Sequence, residues 1–201
     1  DNDLSTLSAT NSFSENGAKA NGIAIDQGNN VFITGYATEN TNTIPVTTGC
    51  YDQSHNGEND IFIIKLSPSL SGIFACTYLG GTQDETAMAI EIDAEGMIVV
   101  SGNTYSDDFP TTPGSYDETW DNTESSADGI ISILDNDLTT LYRSTYFGVL
   151  DENDSVNDLL IAPDGKVFVC GGTSYDFPVP CNAIGSGGYG GIVAIFDKQL
   201  T

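Results

Sequence analysis

Three stretches of this chain spell the same phrase, returning at intervals of 67 to 70 residues. GIAIDQGNNVFITGY (Gly22–Tyr36) is followed by AIEIDAEGMIVVSGN (Ala89–Asn103) and LLIAPDGKVFVCGG (Leu159–Gly172). A repeat of this length, built from short apolar runs, is one supersecondary unit copied along the chain. Each copy can hide its hydrophobic faces only by stacking on its neighbours.

Aligned, the copies show four recurring strand signals. Strand A is Gly22–Asp26, Ala89–Asp93 and Leu159–Ala162, and the turns QGNN, AEG and PDG that follow it tolerate positive φ. Strand B is VFITG, IVVSG and VFVCG, β-branched and aromatic, and is expected to end at Gly35, Gly102 and Gly171. A long polar loop with an early Pro leads to strand C: DIFIIKL (Asp60–Leu66), DGIISIL (Asp128–Leu134) and GGIVAIF (Gly190–Phe196). After the turns SPSLS, DNDLT and DKQLT comes strand D, IFACTYLGG (Ile73–Gly81) and LYRSTYFG (Leu141–Gly148). The apolar runs are short and bounded by Gly, Pro, Asn or Asp, and no helical period is present.

Four antiparallel strands per unit is the layout of a propeller blade. The expected fold is therefore an all-β β-propeller, with about three four-stranded antiparallel blades in this chain, part of a larger or oligomeric ring. Blade 1 spans 22–81, blade 2 spans 87–148 and blade 3 spans 156–201. LSATNSF (Leu7–Phe13) stands where CTYLGG and STYFG stand in the other copies, so a strand D is expected over 5–13. Either that strand completes blade 3, or the chain is a piece of something longer. A β-sandwich is the structural rival, but it does not explain why strands, turns and loops return in one order.

Apolar residues make up 39% of the 201 positions, and 22 glycines suit a fold with many tight turns. Five Lys and Arg stand against 29 Asp and Glu, a net charge of −24. Such a surface repels phosphate backbones and anionic lipid heads, which makes nucleic acid and membrane surfaces poor candidate partners. No run reaches the roughly 18 apolar residues that span a bilayer. The four cysteines, at positions 50, 76, 170 and 181, include no CxxC pair, and His55 is the single histidine. Zinc spacing is missing. An even count in a Gly-, Asn- and Thr-rich β chain fits a secreted protein, with Cys50–Cys76 and Cys170–Cys181 the favoured disulfides because each pair falls within one repeat. Free buried thiols are the alternative.

Candidate chemistry is sparse. His55 lies in QSHNGEND near Ser54 and Asp60, without the strained elbow of a nucleophilic serine. Asp26 and Asp93 recur at the ends of strand A, where paired carboxylates could flank a sugar, or could accept hydrogen bonds from the turn. Asp151, Asn153 and Asp154 offer oxygen ligands at short spacing, a candidate Ca²⁺ site without the EF-hand pattern. Trp120 with Asp121 and Asn122, in the acidic loop YDETWDN, is the most lectin-like group. Tyr78 and Tyr146 hold matching strand positions and are expected to pack between blades.

CTYLGGTQDETAMAIEIDAEGMIVVSGNTYSDDFPTTPGSYD (Cys76–Asp117) and STYFGVLDENDSVNDLLIAPDGKVFVCGGTSYDFP (Ser144–Pro178) resemble the bacterial β-propeller repeat called SBBP. That pattern joins a STYLGG strand, an acidic turn, an IAVD…GN…VYVTG stretch, an FPTTPGAY segment and a D-A-FV…KL strand. The first copy departs from it, with SATNSF and ATENTNTIP in place of two of those segments. The resemblance implies a propeller within a large exported bacterial protein and carries no shared catalytic residues. The expected role is a non-enzymatic extracellular or cell-surface protein, acting in adhesion or assembly through its loops on protein or glycan partners, with self-assembly as a further expectation. A carbohydrate-binding module is the alternative, and a polysaccharide-active enzyme the next.

Overall fold

Each copy of the repeat folds into one antiparallel sheet whose strands lie in chain order. The computed structural model describes residues 9–10, 12, 17–39, 44–120, 126–149, 152–173 and 190–201. Sheet one is β1 (Ala18–Ile25), β2 (Val31–Thr38), β3 (Asn59–Leu66) and β4 (Ile73–Leu79). Sheet two is β5 (Glu85–Ile92), β6 (Ile98–Thr104), β7 (Asp128–Leu134) and β8 (Leu141–Phe147). Sheet three is β9 (Ser155–Ile161), β10 (Val167–Thr173) and β11 (Gly190–Phe196). The chain is thus all-β, and among the described residues there is no helix.

Two sequence expectations about the strands are corrected. Strands A and B are longer than the apolar runs suggested: β1, β5 and β9 begin before Gly22, Ala89 and Leu159, and β2, β6 and β10 run past Gly35, Gly102 and Gly171. The glycines do not end strand B; each sits opposite a β-bulge. The registers slip between Ala20 and Gly22, between Ala87 and Ala89, and at the step from Cys170 to Gly171. The bulged strand pushes a carbonyl against the partner strand, so a Cβ at Gly35, Gly102 or Gly171 would overlap the oxygen of Lys19, Thr86 or Ser155. A bulge bends its strand and raises the local twist, and here glycine is the residue that admits it. The second correction concerns the expected strand over 5–13: Ala9, Thr10 and Ser12 lie in no strand, and the rest of that segment falls outside the described residues.

The turns explain their own composition. Asp26 Oδ1 accepts the Gly28 and Asn30 amides, both at 2.8 Å, and Asp93 Oδ1 accepts those of Glu95 and Met97, also at 2.8 Å. In the C–D turns Leu70, Leu138 and Leu200 take φ of 57°, 57° and 54°. A left-handed leucine costs roughly 1–2 kcal/mol, and the side chains of Leu138 and Leu200 recover it by being fully buried between sheets.

The loop phrase TTGCYD and its copy TTPGSYD lie along the outer strand of their own sheet. The Thr47 amide donates to the Cys76 carbonyl at 3.0 Å, and the Thr112 amide to that of Ser144 at 3.0 Å. Asp52 and Asp117 then donate their amides to the hydroxyls of Thr77 and Thr145, at 2.9 and 2.8 Å. These bonds cover the edge of strand D, which would otherwise be free to pair with another chain. Thr145→Val is isosteric and strands the Asp117 amide. It should cost about 1–3 kcal/mol, read as a lower denaturation midpoint with an unchanged slope.

Packing between sheets forms two clusters. Phe32, Ile61 and Ile63 of sheet one meet Ile90, Ile98, Val100 and Ile130 of sheet two. Val99, Ile131 and Ile133 of sheet two meet Val156, Leu159, Val167 and Val169 of sheet three. β5 lies against β1, β2 and β3, and β9 against β5, β6 and β7, so neighbouring sheets approach most closely through the first strand of each. Loop aromatics fill the outer part of each seam. Tyr51 and Trp120 pack on the first cluster, and the Tyr116 ring stands 5.5 Å from Phe196 and 6.1 Å from Phe147. Tyr51 and Tyr116 also donate their amides to the Leu138 and Leu200 carbonyls of the next sheet, at 2.7 and 2.6 Å.

Candidate functional site

The most chemically loaded place in the chain is an end of the first seam, where strand D passes into the next strand A. Gly80 sits there between two fully buried carboxylates: a Cβ on it would lie 2.6 Å from Glu85 Oε2 and 2.7 Å from Asp60 Oδ1. Glu85 opens β5, level with Thr104. Its carboxylate accepts the hydroxyls of Thr104 and Ser106, the latter at 2.6 Å, and the Gly81 amide at 2.8 Å. Asp60 is the second residue of the apolar strand β3 and accepts the amides of Asn56 at 2.7 Å and Gly57 at 3.1 Å.

Loss of solvent is the dominant influence on both groups. It pushes Glu85 up to about 7, against the pull of its three donors and with a further push from Asp60. It raises Asp60 as well, opposed by the Asn56 amide, by His55 and by the Gly57 amide. Glu85, dry and close to a second carboxylate, therefore keeps its proton at pH values where an ordinary glutamate is ionised.

The second seam repeats the arrangement. Asp128 opens β7, and Asp154 immediately precedes β9. Both are buried, and both converge on Gly148: a Cβ there would overlap Asp128 Oδ1 and lie 3.0 Å from Asp154 Oδ2. Asp154 also accepts the Val149 amide at 2.7 Å. Buried to this degree, Glu85 and Asp154 accept the Gly81 and Val149 amides of the D–A crossings, Glu85 also accepts hydroxyls of its own sheet, and Asp60 accepts amides of the loop before β3.

The structure brings Asp26 and Asp93 to one cleft and gives the other sequence candidates separate surroundings. His55 faces the Ala37 carbonyl at 2.9 Å and stands edge-on to Tyr78, ring centres 5.3 Å apart, while the amide of Ser54 bonds Asp52. Asp26 and Asp93 line one open cleft between the A–B turns, with Gln27 reaching across to the Ala94 carbonyl at 3.3 Å. Trp120 is half-buried, its ring 5.7 Å from Tyr146; Asp121 and Asn122 lie outside the described residues. Asn153 Oδ1 accepts the Ala127 amide at 3.0 Å, so it and Asp154 are directed at backbone amides, and Asp151 lies outside the described residues. Among the described residues no group of three or more His, Cys, Asp or Glu is placed to hold a metal ion.

The favoured Cys50–Cys76 disulfide is not formed. Cys50 turns its thiol to the Asp52 carbonyl at 3.3 Å, and Cys76 is buried in the cluster of Phe62 and Ile64. Burial, then Cys50, pushes the Cys76 thiol up to about 12, leaving it protonated and a poor nucleophile. Cys170 is a free, exposed thiol on β10, and its expected partner Cys181 lies outside the described residues.

Asp60, Glu85 and Asp128 were missed as a set by reading motifs. The signal was present: a carboxylate opens an otherwise apolar strand at the same point in two copies, DIFIIKL and DGIISIL. No family model matches the chain, and no curated protein matches it. Among the described residues no helix is long and apolar enough to cross a membrane.

Proposed function

We propose that this chain is a non-enzymatic scaffold of propeller type, its sheets serving as blades, that acts outside the cell or on its surface in adhesion or assembly. The observation that carries this reading is where the chain spends its reactive groups. The buried carboxylates Asp60 and Glu85 flank Gly80, and Asp128 and Asp154 flank Gly148, where one sheet passes into the next. Asp26 and Asp93, which do line a cleft, are held by turn amides. The net charge of −24 and the resemblance of two long phrases to the SBBP repeat support an exported protein. Trp120 leans on Tyr146, which gives it a packing task in place of a sugar platform.

The test is to immobilise the chain and present it with a panel of surface glycans and with extracted envelope proteins, alongside assays for polysaccharide cleavage. Saturable protein binding without turnover is the expected result. Glycan binding abolished by Trp120→Ala would favour the lectin alternative. Cleavage abolished by Asp26→Asn or Asp93→Asn would overturn the non-enzymatic reading.

A further inference from the structure

The two outer faces of the three-sheet array are the two halves of the seam that joins its sheets. On sheet one, Ile23 and Ile25 of β1 are 68% and 61% exposed. By register they correspond to Ile90 and Ile92 of sheet two, the first of which is buried against sheet one and the second packed on the same cluster. On sheet three, Leu160, Val193 and Ile195 are 61%, 73% and 57% exposed. Val193 and Ile195 correspond to Ile131 and Ile133, which are buried against sheet three. Each internal seam therefore shows what covers such a face: the opposite face of another sheet of this repeat.

A second feature matches the two ends to each other. At both internal seams one carboxylate comes from the start of strand C and one from the start of the next strand A, as Asp60 with Glu85 and Asp128 with Asp154. On sheet three the strand C position, opposite Thr173, is Gly190. On sheet one the strand A position, opposite Ala37, is Ala18. Both members of the pair are missing at once. A seam made from these two ends buries no unpartnered carboxylate, a group whose burial alone is costly.

We propose that the exposed face of sheet three docks on the exposed face of sheet one of a second copy of this chain, and that two copies joined head to tail at both ends close a ring of six sheets. The proposal rests on the repeat-scaffold part of the proposed function and not on surface attachment, so the two fail separately. The contact is heterologous, and it stays finite because the second junction closes it. Two copies each at −24 repel one another, so assembly strengthens as salt screens them.

Sedimentation velocity of the intact chain across a concentration series, in low and in high salt, provides the test. The expected species has twice the 21.2 kDa of one chain, and its population grows with salt. Val193→Asp and Ile23→Asp change exposed side chains on opposite ends, and each variant alone should run as a monomer with an unaltered far-UV CD spectrum. Mixed, they keep one intact junction between them and should form a 1:1 complex, at higher concentration than the wild type needs because the ring's second contact is lost. A wild-type monomer at every concentration and salt would overturn the proposal, whatever else covers these faces. So would variants that dimerise alone, or a mixture that stays monomeric.

Discussion

Gly102→Ala should lower the stability of the chain by about 3 kcal/mol or more, at the upper end of the cost of overpacking a core, and in a domain of ordinary stability that loss approaches unfolding. The added Cβ overlaps the Thr86 carbonyl oxygen and lies 2.9 Å from Ala87 Cα. Both obstacles are backbone, so no rotamer change relieves them. Escape requires β5 to move off β6 at the bulge, and β5 is the strand that packs on three strands of sheet one. The damage therefore spreads from one hydrogen-bonded pair to the whole first seam. Gly72→Ala is the matched control: nothing lies within 4 Å of its Cβ and its φ is not positive, so it should be neutral or gain about 0.4–1 kcal/mol. Urea denaturation of the two variants beside the wild type separates the outcomes. A Gly102→Ala protein as stable as the Gly72→Ala one would show that the bulge does not hold the glycine in place.

That glycine marks where reading the sequence succeeded and where it stopped. Its recurrence at Gly35, Gly102 and Gly171 located the repeat and its sheets, because a repeated constraint leaves a repeated residue. Its role was misjudged, because glycine after a β-branched run is the ordinary sign of a strand end. The bulge that explains it depends on a carbonyl 16 residues earlier, on the preceding strand, and no local pattern carries that information. Strand C was placed within one residue of its observed bounds, since its run of apolar residues, buried on both faces in β3 and β7, is bounded by polar turns in all three copies.

The carboxylate pairs lay beyond the motifs for a different reason. Asp60 and Glu85 are 25 positions apart and meet only because strand D returns the chain to the same end of the seam. Each looks like a turn residue when read alone. The latch from Tyr51 to Leu138 is of the same kind, joining a loop of one copy to a turn of the next. The repeat predicted that seams must exist; the polar groups that complete them follow from topology.

Stability should fall as the pH rises from about 4.5 to about 7, the reverse of ordinary acid unfolding. Glu85 is raised from the usual glutamate value of 4.5 to about 7 by burial, so the folded chain binds its proton more tightly than the unfolded chain. The favourable contribution is complete below the unfolded value and disappears as pH passes through the folded one. A shift of this size corresponds to about 3 kcal/mol. Asp60, raised in the same direction by its burial, adds to the trend. Asp26, held below its usual value by Asn30 and the Gly28 amide against the pull of burial, works the other way, and its contribution is lost as pH drops below 3.8. Maximum stability is therefore expected between pH 4 and 5. Melting scans from pH 3.5 to 8 trace the curve, and Glu85→Gln isolates its cause. The neutral amide cannot titrate but still offers an oxygen to the Gly81 amide, so the variant should lie close to the wild type at pH 4.5, where Glu85 is itself neutral, and should match or exceed it at pH 7.5. A wild-type melting temperature that climbs steadily from pH 5 to 7.5, with Glu85→Gln less stable throughout, would mean that the carboxylate is ionised in the folded chain and that its three donors outweigh its burial.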